Sequence, residues 1–318
     1  LRRAALQAPV TALQQLQSVR AIEPLPQHGL VGFSGARITL HRRHGRVIVR
    51  KTAGTPAQND RLRRQGAKQA RFHAAGVDTP RVLGAGDAAG LVYFEMDYVP
   101  APSIAATICR GDAGPCRRLT PFLTAWFESR RREVTGVIQP EQLLAKLRSV
   151  LAASAANPSL GPSRARLPTI AARLMALAWP GLPDSPGHGD FTTENMLGGP
   201  GERLVLIDFD TPEMESFCLD IAKLYQDLAG HWCLRRLAVD GAAAATYREA
   251  VRVLSDLRAA VDHQLAQMLP ELLPELPALV CLNLMRALPY SSTQSDCAFI
   301  LDRVEALLPS CREAAASP

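Results

Sequence analysis

Residues 188–195 read His188-Gly189-Asp190-Phe191-Thr192-Thr193-Glu194-Asn195, and thirteen residues beyond Asn195 comes Asp208, in the run Leu206-Ile207-Asp208-Phe209-Asp210. The pattern is HGDxxxxN followed by two aliphatic residues, Asp and Phe. One carboxylate and one amide sit about a turn apart on a single loop, and a second carboxylate closes the next short strand. Such a set can orient a hydroxyl with the first carboxylate. It can hold Mg2+ against phosphate oxygens with the amide oxygen and the second carboxylate. Asp190 is therefore the candidate that accepts or orients a hydroxyl proton, and Asn195 and Asp208 are candidate metal ligands. Asp190 need not titrate near neutrality, because phosphoryl transfer is largely dissociative and the proton can leave late.

Outward from this stretch, the chain changes character near Pro100. Before it, HGLVGFSGARITLHR reads as strand, glycine loop and strand, and GRVIVRKTA as a third strand, β-branched and bounded by turn formers. Residues 59–75 lack β-branched side chains and end at Gly76, a helix and its stop signal. LVYFEMDYVP is an apolar strand broken by Pro100 and Pro102. After Pro100 the pattern predicts helices near 120–135, 140–156, 167–178, 217–229, 240–269, 278–288 and 295–308. Pro-rich loops are expected at 157–168 and 180–187, and a short β segment around the HGD loop. The expected fold class is α+β, a small β-rich lobe over residues 1–100 and a mainly helical lobe over 101–318.

Bulk properties narrow the function. The 318 residues are 47% hydrophobic and 21% charged, an ordinary globular composition. Net charge is +6, unevenly placed: residues 1–80 hold 14 Lys and Arg against 3 Asp and Glu, a balance of +11 that leaves −5 for the remainder. A basic N-terminal part suits a polyphosphate. No aromatic residues interleave these arginines as nucleic-acid binding would favour, so no nucleic-acid partner is expected. Seven cysteines form no CxxC pair and no zinc spacing, which predicts reduced thiols and a cytoplasmic setting. No apolar run reaches the roughly 18–20 residues of a membrane span, and no hydrophobic signal core adjoins Arg2 and Arg3.

The HGDxxxxN loop and the IDF strand resemble the aminoglycoside phosphotransferase and choline kinase superfamily, over nearly the whole chain but weakly outside this core. The resemblance implies a bilobal protein-kinase-like fold and a kinase that transfers the γ-phosphate of ATP (or GTP), with Mg2+, to a hydroxyl of a small-molecule acceptor. In that family another Asp follows at the start of a helix. Asp220-Ile221-Ala222-Lys223-Leu224 matches it, either holding the catalytic loop or capping the helix.

The same resemblance assigns the N-terminal lobe to nucleotide. Gly32 and Ser34, in the loop Gly29–Gly35, would approach the phosphates through backbone amides. A basic residue on the third strand would bind the α and β phosphates. Arg50 and Lys51 compete for that role, and strand alternation sends them to opposite faces. The helix partner of this cation is Glu in the family and falls here on Gln65, which can hydrogen-bond the cation but not neutralise it. That departure supports the alternative of a catalytically weak or inactive regulatory nucleotide-binding module. Backbone groups from Met96 to Tyr98 would meet the nucleobase.

Acceptor contacts are expected from the helical lobe: Asp210, Glu213, Trp232, Arg286 and Tyr290 are the candidates. The runs RLRRQ, YFEMDYV, DIAKLYQD and LMRALPY also resemble a bacterial phosphotransferase subgroup associated with surface-polysaccharide genes. That points to a sugar or polyol hydroxyl, with an amino-alcohol as a further candidate, ahead of an aminoglycoside.

Overall fold

A computed structural model describes residues 23–24, 35–198, 203–235, 237 and 244–313. The chain forms two compact units, one of residues 1–101 with 205–211 and one of residues 102–204 with 212–318.

The first unit is built on five strands in the order β1-β2-β3-β5-β4, all neighbours antiparallel: β1 (Glu23–Pro24), β2 (Arg37–Arg43), β3 (Arg46–Thr52), β4 (Val82–Ala88) and β5 (Leu91–Asp97). The hairpin β2–β3 turns at His44 and Gly45, both at positive φ. Helix α1 (Asn59–Ala74) packs on the sheet, where Val49, Leu62, Val92, Phe94 and Met96 bury a common core. Each such side chain contributes about 1.5–3 kcal/mol when removed from water. Gly66 sets the approach of α1: a Cβ there would lie 3.2 Å from the Phe94 ring. A mid-helix glycine costs about 1 kcal/mol of intrinsic propensity, and here it lets the helix reach the sheet. Strand β4 adds to the strands expected from sequence. Its sequence, VLGAGDA, carries two glycines, and it becomes a strand by pairing with β5 across an irregularity at Val82/Gly84.

The second unit is helical: α2 (Ile104–Cys109), α3 (Leu119–Arg131), α4 (Pro140–Ala155), α5 (Leu167–Met175), α6 (Phe217–Leu228), α7 (Ala244–Met268), α8 (Leu276–Ala287) and α9 (Gln294–Leu307). The expected helices are present within a few residues at each end. Helices α6 and α8 pack together and are buried on nearly all sides, as their apolar composition requires. The short pair β6 (Gly136–Ile138) and β7 (Leu182–Asp184) is antiparallel. The first Pro-rich segment is not a plain loop. Residues Pro158–Arg166 form 3-10 turns, held by Arg164 donating to the Asn157 carbonyl at 2.8 Å and Arg166 pairing with Asp302 and Glu305. The described cysteines Cys109, Cys218, Cys233, Cys281, Cys297 and Cys311 are free thiols. Among the described residues no helix is long and apolar enough to cross a membrane.

Candidate active site

In the first unit, β3 places Arg50 and Lys51 on opposite faces. Arg50 stands across the strand pair from Glu95, donates to it at 2.6 Å and lies over the Tyr93 ring at 4.2 Å. Arg43 joins the same carboxylate at 3.1 Å. Lys51 turns inward and is 2% exposed. Its Nζ donates to Gln65 Oε1 at 3.1 Å and makes an ion pair with the Asp208 carboxylate.

Gln65 works in both directions. Besides accepting from Lys51 it donates from Nε2 to Asp210 Oδ1 at 2.9 Å. Asp210 also receives the Arg61 guanidinium on both oxygens, at 3.1 and 3.0 Å, and its backbone carbonyl accepts from Lys68. Burial acts to raise the Asp210 pKa, but Arg61 and Gln65 overcome it and hold the carboxyl below its ordinary value. Asp208 has φ near +60°, a left-handed conformation that Asp tolerates better than most residues. The strand before it, β8 (Leu204–Leu206), gives the Leu206 N–H to the Asp78 carbonyl, and Phe209 stacks on Phe72 of α1 at 4.9 Å. Met96 is buried in the sheet with its Sδ accepting from Gln69, and Tyr98 is exposed just past β5. Gly32 and Ser34 lie outside the described residues.

In the second unit the loop 188–195 is gripped from three directions. The Asp220 carboxylate of α6 accepts the His188 N–H at 2.6 Å and the Gly189 N–H at 2.9 Å. Ser216 caps α6 by accepting from Cys218 N–H, so Asp220 is not the cap. Gly189 takes φ +88°, a conformation costly for other residues, at the turn that leads into Asp190. The Asp190 N–H donates to His188 Nδ1 at 3.2 Å, and the His188 ring is fully buried, edge-on to Phe191. Phe191 is buried among Phe122, Trp126 and Phe127 of α3. One α6 turn beyond Lys223, Asp227 accepts both the Thr193 N–H and the Thr193 hydroxyl at 2.7 Å.

These anchors fix the two polar candidates. Asn195 Nδ2 donates to the Asp190 carbonyl and to Asp190 Oδ2, both at 2.9 Å. That assignment leaves the Asn195 amide oxygen as its acceptor for a hard cation. Asp190 Oδ1 pairs with Lys223 Nζ at 3.1 Å. Asp220, Lys223 and Asp227 lie at i, i+3 and i+7, one face of α6. That spacing is present in DIAKLYQD, and it is the signal by which Lys223 and Asp227 can be read.

The acceptor candidates scatter. Arg286, at the last turn of α8, lines a cavity in the second unit with Gly187, Gly189, Glu215, Asp220 and Lys223. Trp232 lies under the Arg235 guanidinium at 4.2 Å, and Arg235 pairs with Glu194 of the loop at 3.0 Å. Glu213 is 85% exposed beside Lys146, and Tyr290 is 81% exposed. Asp210 belongs to the first unit and is tied to Arg61 and Gln65 there.

Comparison with known proteins agrees with this architecture. The model of the phosphotransferase enzyme family matches residues 30–254. A comparison with curated proteins gives no match. Among solved structures, the chain is similar to aminoglycoside phosphotransferase APH(4)-Ia, at 14% identity and TM-score 0.57, covering 95% of this chain and 98% of that one. It is also similar to a thermostable mutant of that enzyme in ternary complex with ADP and hygromycin B, at 12% identity, TM-score 0.59 and coverage of 95% and 97%. A second thermostable mutant, in complex with AMP-PNP and hygromycin B, gives 13% identity, TM-score 0.61 and coverage of 95% and 97%. Identities this low establish the likeness of fold.

Proposed function

Since the chain belongs to the phosphotransferase enzyme family of the aminoglycoside phosphotransferase and choline kinase superfamily, we propose that it is a kinase that moves the γ-phosphate of ATP, or of GTP, onto a hydroxyl of a small acceptor. Asp190 is the group that orients the acceptor hydroxyl and takes its proton. Lys51 is the cation for the α and β phosphates, and Gln65 and Asp208 fix its Nζ. Asp208 and Asn195 offer a carboxylate and an amide oxygen, the hard donors that Mg2+ takes, and would hold that ion. When bound, Mg2+ supplies charge neutralisation at the phosphate oxygens. Backbone groups from Met96 to Tyr98, with Gly32 and Ser34, complete the proposed nucleotide contacts.

The single observation that carries the reading is the restraint on Asp190. Its carboxylate is held by Asn195 on one oxygen and Lys223 on the other, on a loop clamped by Asp220. A carboxylate held in one orientation contributes by positioning, the larger part of catalysis when the transition state is loose. The complexes of the structural neighbours with ADP or AMP-PNP and hygromycin B support a nucleotide and a small-molecule acceptor.

The test is phosphate transfer from ATP and Mg2+ across a panel of hydroxyl compounds, with Asp190→Ala alongside. Transfer by the native chain and a fall of at least about 10²-fold in the variant is the expected result. Absence of any turnover, with ATP and Mg2+ still raising the melting temperature, would favour a regulatory nucleotide-binding module.

A further inference from the structure

We infer that the cavity between α6, α8 and the loop 187–189 takes the charged group of an anionic acceptor, a hydroxyl compound bearing a phosphate or carboxylate group, which Arg286 selects by charge. The word acceptor rests on the kinase reading above; the charge preference does not.

The cavity is lined by two acids and two bases: Glu215, Asp220, Lys223 and Arg286. The acids are engaged by the backbone beside them. Both oxygens of Asp220 accept N–H groups, from His188 and Gly189. Glu215 Oε2 accepts the Gly187 N–H at 3.2 Å. Gly187 is pressed so close that a Cβ there would lie 2.8 Å from Asp220 Oδ2, so the Asp220 carboxylate is packed onto the loop. Glu213, next to the lining residue Pro212, is drawn towards Lys146 at 3.6 Å. Of the bases, Lys223 pairs with Asp190.

Arg286 stands apart. It makes no ion pair among the described residues, and its hydrogen bond goes to a neutral group, Asn283 Oδ1 at 3.1 Å. Asn283 is 1% exposed, so this bond fixes the guanidinium from a rigid helix. A guanidinium has five N–H donors in a planar fork. With one directed to Asn283, the others match the two oxygens of a carboxylate or phosphate. A cationic acceptor would meet this guanidinium and carboxylates already bonded to the loop. An anionic one would meet a positive charge whose desolvation it offsets.

Four compounds on one sugar ring isolate the charge: glucose, glucose 6-phosphate, glucuronate and glucosamine. Their binding to the full chain is measured by calorimetry with AMP-PNP and Mg2+ present, and transfer is measured separately with ATP. Glucose 6-phosphate, glucuronate or both should bind at least about tenfold more tightly than glucose, with glucosamine weakest, the difference of one charge-assisted contact. The advantage should shrink as salt is raised, a reading that needs no variant. Arg286→Gln should reduce it to within about threefold and Arg286→Lys should retain part of it, with melting temperatures reporting that both variants fold. Equal or tighter binding of glucose or glucosamine overturns the inference. So does binding of neither anionic sugar, or an advantage that survives Arg286→Gln. Binding of an anionic sugar without transfer to any acceptor would count against the kinase reading and leave this inference standing. Transfer only to glucosamine or glucose would do the reverse.

Discussion

Gln65 and Asp210 are joined by a 2.9 Å hydrogen bond from the amide nitrogen to the carboxylate, while the same amide accepts from Lys51. The bond explains why Gln can stand where related kinases place Glu. Lys51 takes its countercharge from Asp208, and position 65 needs a donor as well as an acceptor. Gln65→Glu would set a second carboxylate against Asp210, raising the pKa of the pair. A raised folded-state pKa contributes stability below the unfolded value near 4 and loses it as pH rises through the folded value. The variant should therefore be less stable than the native chain at pH 8 by about 1–3 kcal/mol, with the gap narrowing at pH 4. Melting curves at the two pH values check this, and a variant as stable as the native chain at pH 8 would remove the account of Gln65.

The opposed faces of β3 separate Lys51 from Arg50 in a way that substitution can read. Lys51→Ala leaves Asp208 without its cation and Gln65 Oε1 without its donor. Phosphate transfer should fall by about 10²–10³-fold, with loss of the thermal shift produced by ATP and Mg2+. Arg50→Ala leaves Glu95 its bond to Arg43 at 3.1 Å. It should lower stability by about 1–3 kcal/mol and leave transfer within roughly threefold. Equal losses of transfer in the two variants would contradict the assignment of the inner face to the phosphates.

Asp220 holds two successive amides of the loop 188–195 through two oxygens. Asp220→Ala removes the carboxylate that both N–H groups donate to, and Asp220→Asn turns an NH2 towards one of them. Displacement of Asp190 by about an ångström is enough for a loss on the order of 10²-fold in kcat. The KM for nucleotide should change less than kcat, because the proposed phosphate cation Lys51 belongs to the other unit and Asn195 is the one proposed metal ligand on this loop. Steady-state kinetics on both variants provides the check; a rise in nucleotide KM with kcat preserved would show that Asp220 acts otherwise.

Much of this was legible in sequence because it is local. HGDxxxxN is one short loop, so the nearness of Asp190 and Asn195 follows from spacing, and residues 59–75 lack β-branched side chains and end at Gly76. What escaped was decided by residues far away. Strand alternation separates Arg50 from Lys51, but which face is inner depends on Glu95 across the strand pair. Strand β4 exists through its pairing with β5 despite two glycines. The turns of Pro158–Arg166 depend on carboxylates of α9, more than a hundred residues on. The hydroxyl and amide of Thr193 meet Asp227 because α6 presents every third or fourth residue to the loop, a period visible in DIAKLYQD but meaningless until the loop is known to lie there.

Asp227 is the most deeply buried member of that face, and its charge state follows. Burial and the Glu194 carboxylate push its pKa up to about 7, against the opposing pull of Thr193 and Arg235, with Cys233 and Cys109 nearby. Its Oδ1 is buried with no hydrogen-bond partner among the described residues, a site for the proton that does not disturb the bonds from Thr193 to Oδ2. The folded-state pKa lies above the unfolded value near 4, so this group favours folding most below pH 4. The contribution declines from there and is lost as pH passes about 7. Asp227→Asn keeps an oxygen for Thr193 and removes the titration. The variant should melt at nearly the same temperature from pH 5 to pH 8, and above the native chain at pH 8, by a few degrees or roughly 1–2 kcal/mol. A native chain whose stability does not fall between pH 5 and pH 8, or a variant that falls in parallel with it, would place the proton elsewhere.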